Sequence, residues 1–225
     1  MSRSLLLLVV PIIIGLFALQ TGDILFKAGV PFSCSLILLL TVGRASHGSA
    51  LYSVVAAFLF SMLGDYLLSN KNGRECFFVY GIAAYFFAHI GYSWYAFRRG
   101  GLHRMALAVL LILFLPYFFL ALFPAIQDTV LKLAVFLYLL ISLLALALAF
   151  GIQLAALAKG LFVLGIGLIV LSDTLISFTE FLDFPSLNSL ILPTYYVAHV
   201  SITSSLIVAT EGLLGQDSVG AKARD

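Results

Sequence analysis

The stretch ALYSVVAAFLFSMLGDYLLS (Ala50–Ser69) is long and apolar enough to cross a lipid bilayer as a helix, yet it contains one carboxylate, Asp65. About twenty helical residues are needed to cross a hydrocarbon core of roughly 30 Å. Across the whole chain of 225 residues, 63% are hydrophobic and only 10% are charged. This composition cannot provide a normal water-facing surface, so the sequence predicts an integral membrane protein.

Other apolar runs of comparable length predict further helices, and the expected fold is an all-α membrane protein with eight transmembrane helices. The predicted spans are Ser4–Gln20, Ala28–Val42, Ala50–Ser69, Cys76–Phe97, Met105–Phe123, Val130–Phe150, Gly160–Phe181 and Ser189–Leu213. Residues 1–213 are expected to form one polytopic domain, and residues 214–225 a polar, disordered tail. The first run begins like a signal peptide, but no small-x-small cleavage site follows it, so we interpret it as an uncleaved span.

The basic residues predict the orientation, because cytoplasmic loops of membrane proteins are enriched in Lys and Arg. Eight of these residues lie on the side of the termini and four on the opposite side. We therefore expect both termini in the cytoplasm and the protein in the plasma (inner) membrane. The net charge of +2 is too small and too scattered to indicate nucleic-acid binding. The expected partners are the bilayer and a lipid, and the sequence predicts no particular oligomer.

Two similar pairs of motifs indicate an internal duplication. GDYLLS (Gly64–Ser69) precedes YFFAH (Tyr85–His89), and SDTLIS (Ser172–Ser177) precedes YYVAH (Tyr195–His199), with nearly equal spacing. The copies are offset by four spans, which is an even number, so corresponding helices run in the same direction. The sequence therefore predicts two parallel four-helix repeats, 1–104 and 105–213, around a polar cavity.

The polar residues of these motifs fall on single helix faces, because residues three or four apart are neighbours on a helix. One stripe contains Tyr85, His89 and Tyr92, and the other contains Tyr195, Tyr196 and His199. A charged side chain facing lipid costs at least about 2.5–3.5 kcal/mol, so the stripes and the two aspartates should face the bundle interior. A cavity that opens toward the non-cytoplasmic side would accommodate them. The alternative is that these groups only hydrogen-bond across helices and fix the packing.

Two carboxyl groups in an apolar cavity suit acid–base chemistry. Burial disfavours the charged form of a carboxyl, so one aspartate can hold a proton while the other orients water or stabilises a cation. Paired carboxylates divide the work in this way in glycoside hydrolysis. Two His and two Asp could also bind zinc, but no compact ligand motif is present, and we expect no metal or other cofactor.

GDYLLS, YFFAHIGY, LSDTLIS and PTYYVAH together resemble the YhhN-like lysoplasmalogenase family, which includes the animal transmembrane protein 86 type. The resemblance covers nearly the whole chain, including the order of the motifs. It implies hydrolysis of the vinyl ether bond of lysoplasmalogens to a fatty aldehyde and glycerophosphocholine or glycerophosphoethanolamine. The family's polar motif positions correspond to Asp65, His89, Asp173, Tyr195 and Tyr196. Two features depart from the family pattern: a KP-like element is present only as Lys27 followed by Pro31, and His199 stands where glutamine is common.

The expected catalytic residues are Asp65, Asp173 and His89. One aspartate would protonate the vinyl ether, and the other would stabilise the resulting cation. His89 would tune the acid or relay a proton. The expected substrate-binding residues are Tyr85, Tyr92, Tyr195, Tyr196, His199, Lys27 and Asn70. Lys71 and Arg74, just beyond GDYLLSN, could meet a phosphate at the membrane surface.

Other functions fit parts of the same pattern. A proton-coupled transporter or channel would use the same Asp and His pairs in a duplicated bundle. An intramembrane aspartyl protease also places one Asp on each of two helices, but MLGD lacks the second glycine of G-x-G-D and LSD lacks the expected tyrosine. A purely structural lipid-binding protein is the remaining alternative.

Overall fold

The protein folds into a bundle of long helices. A computed structural model describes the backbone of residues 3–43, 49–71 and 75–222, and the side chains of 4–43, 50–71 and 76–212. The helices are α1 (Val9–Thr21, after a short segment Arg3–Leu6), α2 (Ile24–Thr41), α3 (Ser49–Ser69), α4 (Glu75–Arg98), α5 (Arg104–Tyr117), α6 (Thr129–Gly151), α7 (Ala156–Phe181) and α8 (Asn188–Lys222). In this part of the chain, eight helical segments are long and apolar enough to cross a membrane. The all-α, eight-span prediction is confirmed. The backbone of α8 enters the segment 214–225, where the disordered tail stays a prediction.

Local sequence sets several of the turns between helices. Gly22 ends α1 in the left-handed conformation, with φ of 68°, which glycine adopts without steric cost. The next residue, Asp23, accepts a hydrogen bond from the Leu25 backbone N–H and so caps the start of α2. Asp128 caps α6 in the same way through the N–H of Leu131. The helices therefore begin and end where the side chains satisfy free backbone groups.

The helices that carry the aspartates pack closely against the helices that carry the histidines. In the α3–α4 pair, a Cβ at Gly91 would overlap the carbonyl oxygen of Ser53. In the α7–α8 pair, a Cβ at Gly165 would lie 2.5 Å from Ile202 Cγ1. Small residues allow such close approach in membranes, where helices gain little from the hydrophobic effect.

The contacts between helices follow the same order in both halves. In the first half, α1 packs on α2, α2 on α3, and α3 on α4. In the second half, α5 packs on α6, α6 on α7, and α7 on α8. Contacts also join the two halves: α4 packs on α6, and α8 packs on α2. This arrangement is the one expected of two parallel repeats, and it supports the predicted halves, which stay a prediction.

The peripheral helix α5 is the least embedded of the eight. No residue of Arg104–Tyr117 is buried, and the helix lies mainly on α6. Pro116 has no backbone N–H and therefore interrupts the helical hydrogen bonds. The chain continues as a π-helical turn at Phe118–Leu122 and a short segment Phe123–Ala125.

Candidate active site

A polar cavity of about 280 Å³ lies at the end of the bundle opposite the termini. It is lined by residues from α2, α3, α4, α7 and α8, and both predicted aspartates are among them. Lys27, Tyr85 and Tyr195 also line it. The structure therefore brings together two catalytic and three substrate-binding residues of the sequence prediction.

Asp65 on α3 is held by two phenols. The Tyr85 hydroxyl donates to Oδ1 at 2.6 Å, and the Tyr195 hydroxyl donates to Oδ2 at 3.3 Å. Tyr85 belongs to α4 and Tyr195 to α8, so the carboxyl group joins three helices. Asp65 is buried, and each of its oxygens has a hydrogen-bond donor.

Gly64 makes the contact between Tyr85 and Asp65 possible. A Cβ at this position would lie 2.7 to 2.9 Å from Cζ, Cε1 and Cε2 of the Tyr85 ring. The glycine therefore lets the ring lie directly against the α3 backbone, with its hydroxyl on the neighbouring aspartate. Gly64 belongs to the GDYLLS motif, and its position next to the aspartate is the signal that could have indicated this role.

Asp173 on α7 has a different set of partners. The Tyr138 hydroxyl donates to Oδ2 at 2.7 Å. His89 Nε2 lies 3.0 Å from the Tyr138 oxygen and 3.6 Å from the same Asp173 oxygen. A phenol has one hydrogen, and here it goes to the carboxyl group, so Nε2 must carry a hydrogen and donate to Tyr138. His89, Tyr138 and Asp173 thus form a hydrogen-bonded chain.

Tyr138 is not among the site residues predicted from the sequence. It lies on α6, outside both repeated motifs. Its signal was weak but present, since it is the one tyrosine in the apolar run Val130–Phe150. A phenol in hydrocarbon needs a hydrogen-bond partner, and Asp173 provides it.

An ion pair lies on the wall of the polar cavity. Lys71 Nζ lies 2.6 Å from both carboxylate oxygens of Glu180, and both residues line the cavity. The pair connects the end of α3 with the end of α7 and is partly exposed. Asn70 instead donates to the Tyr66 carbonyl oxygen at 2.8 Å and does not line the cavity. Arg74 lies outside the described residues.

Besides Asn70, three predicted substrate-binding residues do not line the polar cavity: Tyr92, Tyr196 and His199. Tyr92 is buried, with its hydroxyl 3.5 Å from Ser61 Oγ. His199 Nδ1 donates to the Tyr195 carbonyl oxygen at 2.9 Å, and its ring packs against Phe58.

Tyr196 follows Tyr195 by one residue and is therefore turned about 100° around the helix. It packs toward α1, where a Cβ at Gly15 would lie 3.2 Å from its Cδ2. These contacts are packing contacts, so a binding role for Tyr92, Tyr196 and His199 stays a prediction that the geometry does not support.

A smaller apolar cavity of about 80 Å³ adjoins the polar one. The two share four lining residues: Leu68, Tyr85, Asp173 and Ile176. Within residues 4–43, 50–71 and 76–212, whose side chains the structure describes, no three His, Cys, Asp or Glu side chains group as a metal site would require. The expectation of a cofactor-free protein stays a prediction.

Neither the comparison with curated proteins nor the comparison with solved structures finds a match. The family model of the YhhN family matches residues 22–206, which is most of the chain. The matched region contains both aspartates, His89, Tyr138 and the tyrosines that hold Asp65. The chain therefore belongs to the YhhN family.

Proposed function

We propose that this protein is a lysoplasmalogenase, which hydrolyses the vinyl ether bond of a lysoplasmalogen to a fatty aldehyde and glycerophosphoethanolamine or glycerophosphocholine. The main support is the position of two aspartates, from α3 and α7, on the wall of one polar cavity that continues into an apolar one. A lysolipid has its polar headgroup and its hydrocarbon chain on opposite sides of the reactive bond. The two cavities match that order.

The hydrogen bonds suggest different roles for the two aspartates. Both oxygens of Asp65 accept hydrogen bonds from phenols, so this carboxylate has no hydrogen of its own to contribute to either bond. The contacts of Asp173 with Tyr138 and His89 both involve Oδ2, which leaves Oδ1 to carry a transferable hydrogen. The two phenol donors stabilise the charged form of Asp65, which its burial alone would disfavour. We assign Asp173 as the general acid and Asp65 as the carboxylate that stabilises positive charge.

The first half of the reaction forms a hemiacetal. The Asp173 hydrogen is transferred to the β-carbon of the vinyl ether, and the π electrons form the new C–H bond. An oxocarbenium ion remains, and the negative charge of Asp65 stabilises it. Water then adds to the cationic carbon and gives its proton to Asp65.

The second half releases the products and restores the site. Asp65 returns its proton to the glycerol oxygen as the C–O bond breaks. The Asp173 carboxylate takes the proton of the hemiacetal hydroxyl, which becomes the aldehyde carbonyl. Each aspartate has then regained its starting state, and one water has been consumed.

The remaining residues position these groups and the headgroup. Tyr85 and Tyr195 fix the Asp65 carboxylate, and the His89–Tyr138 pair fixes Asp173. Lys27 and Lys71 can meet the phosphate of the headgroup, and Glu180 its ammonium group. With both termini in the cytoplasm, the polar cavity opens on the non-cytoplasmic side of the plasma (inner) membrane.

The test is aldehyde release by purified protein in detergent, with a lysoplasmalogen and, in parallel, an ester-linked lysophospholipid. Asp65→Asn and Asp173→Asn are assayed with the matched control Asp128→Asn, which lies outside the cavity and keeps its helix cap because asparagine caps as well as aspartate. We expect aldehyde from the vinyl ether substrate alone, lost in the two cavity variants and unchanged in the control. No aldehyde from folded wild-type protein would refute the proposal, and uptake of substrate into vesicles without chemical change would then favour the transporter alternative.

A further inference from the structure

We infer that the apolar cavity binds the hydrocarbon chain of the lipid and directs it away from the aspartates, an inference that rests on the proposed function for the identity of the lipid. The cavity lies between α4, α5, α6 and α7. Apart from Asp173 and a few hydroxyl groups, its wall is aliphatic and aromatic, with Phe78, Phe114, Val135 and Leu139 contributed by three of the helices. A wall of this kind suits a hydrocarbon chain.

The junction of the two cavities fixes the register of the bound lipid. Leu68, Tyr85, Asp173 and Ile176 line both cavities, so the passage from polar to apolar surroundings occurs at the proposed general acid. In a lysoplasmalogen, the vinyl ether is the bond that joins the glycerol to the chain. A headgroup in the polar cavity and a chain in the apolar cavity place this bond beside Asp173.

The size of the apolar cavity indicates that it holds only the first part of a chain. An apolar cavity of about 150 Å³ binds one benzene molecule, so a cavity of about 80 Å³ accommodates only a few carbons of a chain. The rest of the chain must leave toward the lipid.

The outer wall offers the route for that exit. This wall is formed by the weakly embedded α5. Tyr117 of this helix has its hydroxyl 2.7 Å from Ser177 Oγ on α7, and its ring contacts Phe178. Next to Tyr117, Pro116 and the π-helical turn Phe118–Leu122 interrupt α5. Because the regular helical hydrogen bonds are interrupted here, we expect the chain to leave past this part of the helix.

The binding test does not depend on turnover. A lysolipid whose chain is joined by a saturated ether, and which carries a diazirine near that bond, cannot be hydrolysed and labels its binding site on illumination. We expect mass spectrometry to locate the label on the walls of the apolar cavity in wild-type protein. Leu139→Phe fills the cavity and should lower this labelling several-fold. Leu137→Phe makes the same change on the exposed face of the same helix and should leave it unchanged.

The activity test uses the same two variants. Leu139→Phe should lower aldehyde release from a long-chain lysoplasmalogen about tenfold, because one misplaced methylene in an apolar site already costs about 10- to 200-fold. It should spare a substrate that ends at the two vinyl carbons, because that substrate has no chain to place in the cavity. The chain site is overturned if the label stays on lipid-facing surfaces and is equal in all three proteins, or if both chain lengths are affected alike. Labelling of the cavity without aldehyde release would retain the chain site and refute the hydrolase, so the two proposals fail separately.

Discussion

Gly64→Ala should reduce activity far more than it reduces stability. The added Cβ would lie 2.7 to 2.9 Å from three ring atoms of Tyr85, whereas ordinary carbon contacts are about 3.5–4.0 Å. The ring must therefore withdraw by roughly 1 Å. Its hydroxyl, now 2.6 Å from Asp65 Oδ1, would move to about 3.5 Å, beyond hydrogen-bond range.

The expected magnitudes follow from this displacement. Overpacking costs about 1–3 kcal/mol, but replacing glycine by alanine within a helix returns up to about 1 kcal/mol, so the protein should still fold. A misplacement of 1 Å in a catalytic arrangement can cost about a hundredfold in rate. We expect aldehyde release to fall by about that factor, with a drop of a few degrees in melting temperature.

A double-mutant cycle tests whether the loss acts through Tyr85. Tyr85→Phe removes the hydroxyl and keeps the ring, so Gly64→Ala should cause little further loss of activity in that background. Gly167→Ala is the matched control on α7, because its Cβ would meet only Leu146 Cδ1, at 3.9 Å. Full activity in Gly64→Ala, or fully additive losses in the cycle, would refute the argument.

Three further predictions concern other residues of the site. Tyr138→Phe should lower kcat by about 10- to 100-fold with little change in KM. The variant loses a hydrogen bond that orients Asp173, but it loses no contact with the headgroup. A change in KM alone would contradict this prediction. Lys71→Gln and Glu180→Gln should each raise KM several-fold while the melting temperature hardly changes, since exposed ion pairs contribute about 0–1 kcal/mol; an unchanged KM in both would remove them from headgroup binding. Tyr196→Phe should keep activity within about twofold of wild type, because the ring packs toward α1; a large loss would restore its predicted binding role.

The number of helices could be predicted from the sequence because the bilayer imposes a length and a composition on every span. Some boundaries of the helices could not be predicted in this way. Helix α2 begins at Ile24 and not at Ala28, because Asp23 caps it and Lys27 lies within it on the cavity wall. A long basic side chain is tolerated near a helix end, where its amine can reach water. Hydropathy alone assigns such a residue to the connector.

The site could be predicted in part, because helical spacing shows which residues share a face but not how deep the cavity reaches along it. On α4, Tyr85 lines the polar cavity, His89 lies one turn deeper against Tyr138, and Tyr92 lies deeper still in packed interior. On α8, Tyr195 likewise lines the cavity, while His199 one turn further is fully buried. Only the first turn of each polar stripe therefore reaches the space where a substrate would bind.

The duplicated motifs end in two different environments, and one position helps explain the difference. Gly64 before Asp65 leaves room for the ring of Tyr85, whereas the corresponding residue before Asp173 is Ser172, whose hydroxyl donates to the Ile191 carbonyl oxygen on α8. Tyr195, the counterpart of Tyr85, accordingly reaches across to Asp65.

Asp173 takes its partners from elsewhere, with Tyr138 from α6 and His89 from α4. Two equivalent carboxyl groups would compete for the same proton, and an acid–base pair requires groups whose surroundings separate their roles. The predicted repeat would supply two similar carboxyl groups. In the proposed mechanism, the change from glycine to serine beside them helps to suit Asp65 to hold charge and Asp173 to deliver a proton.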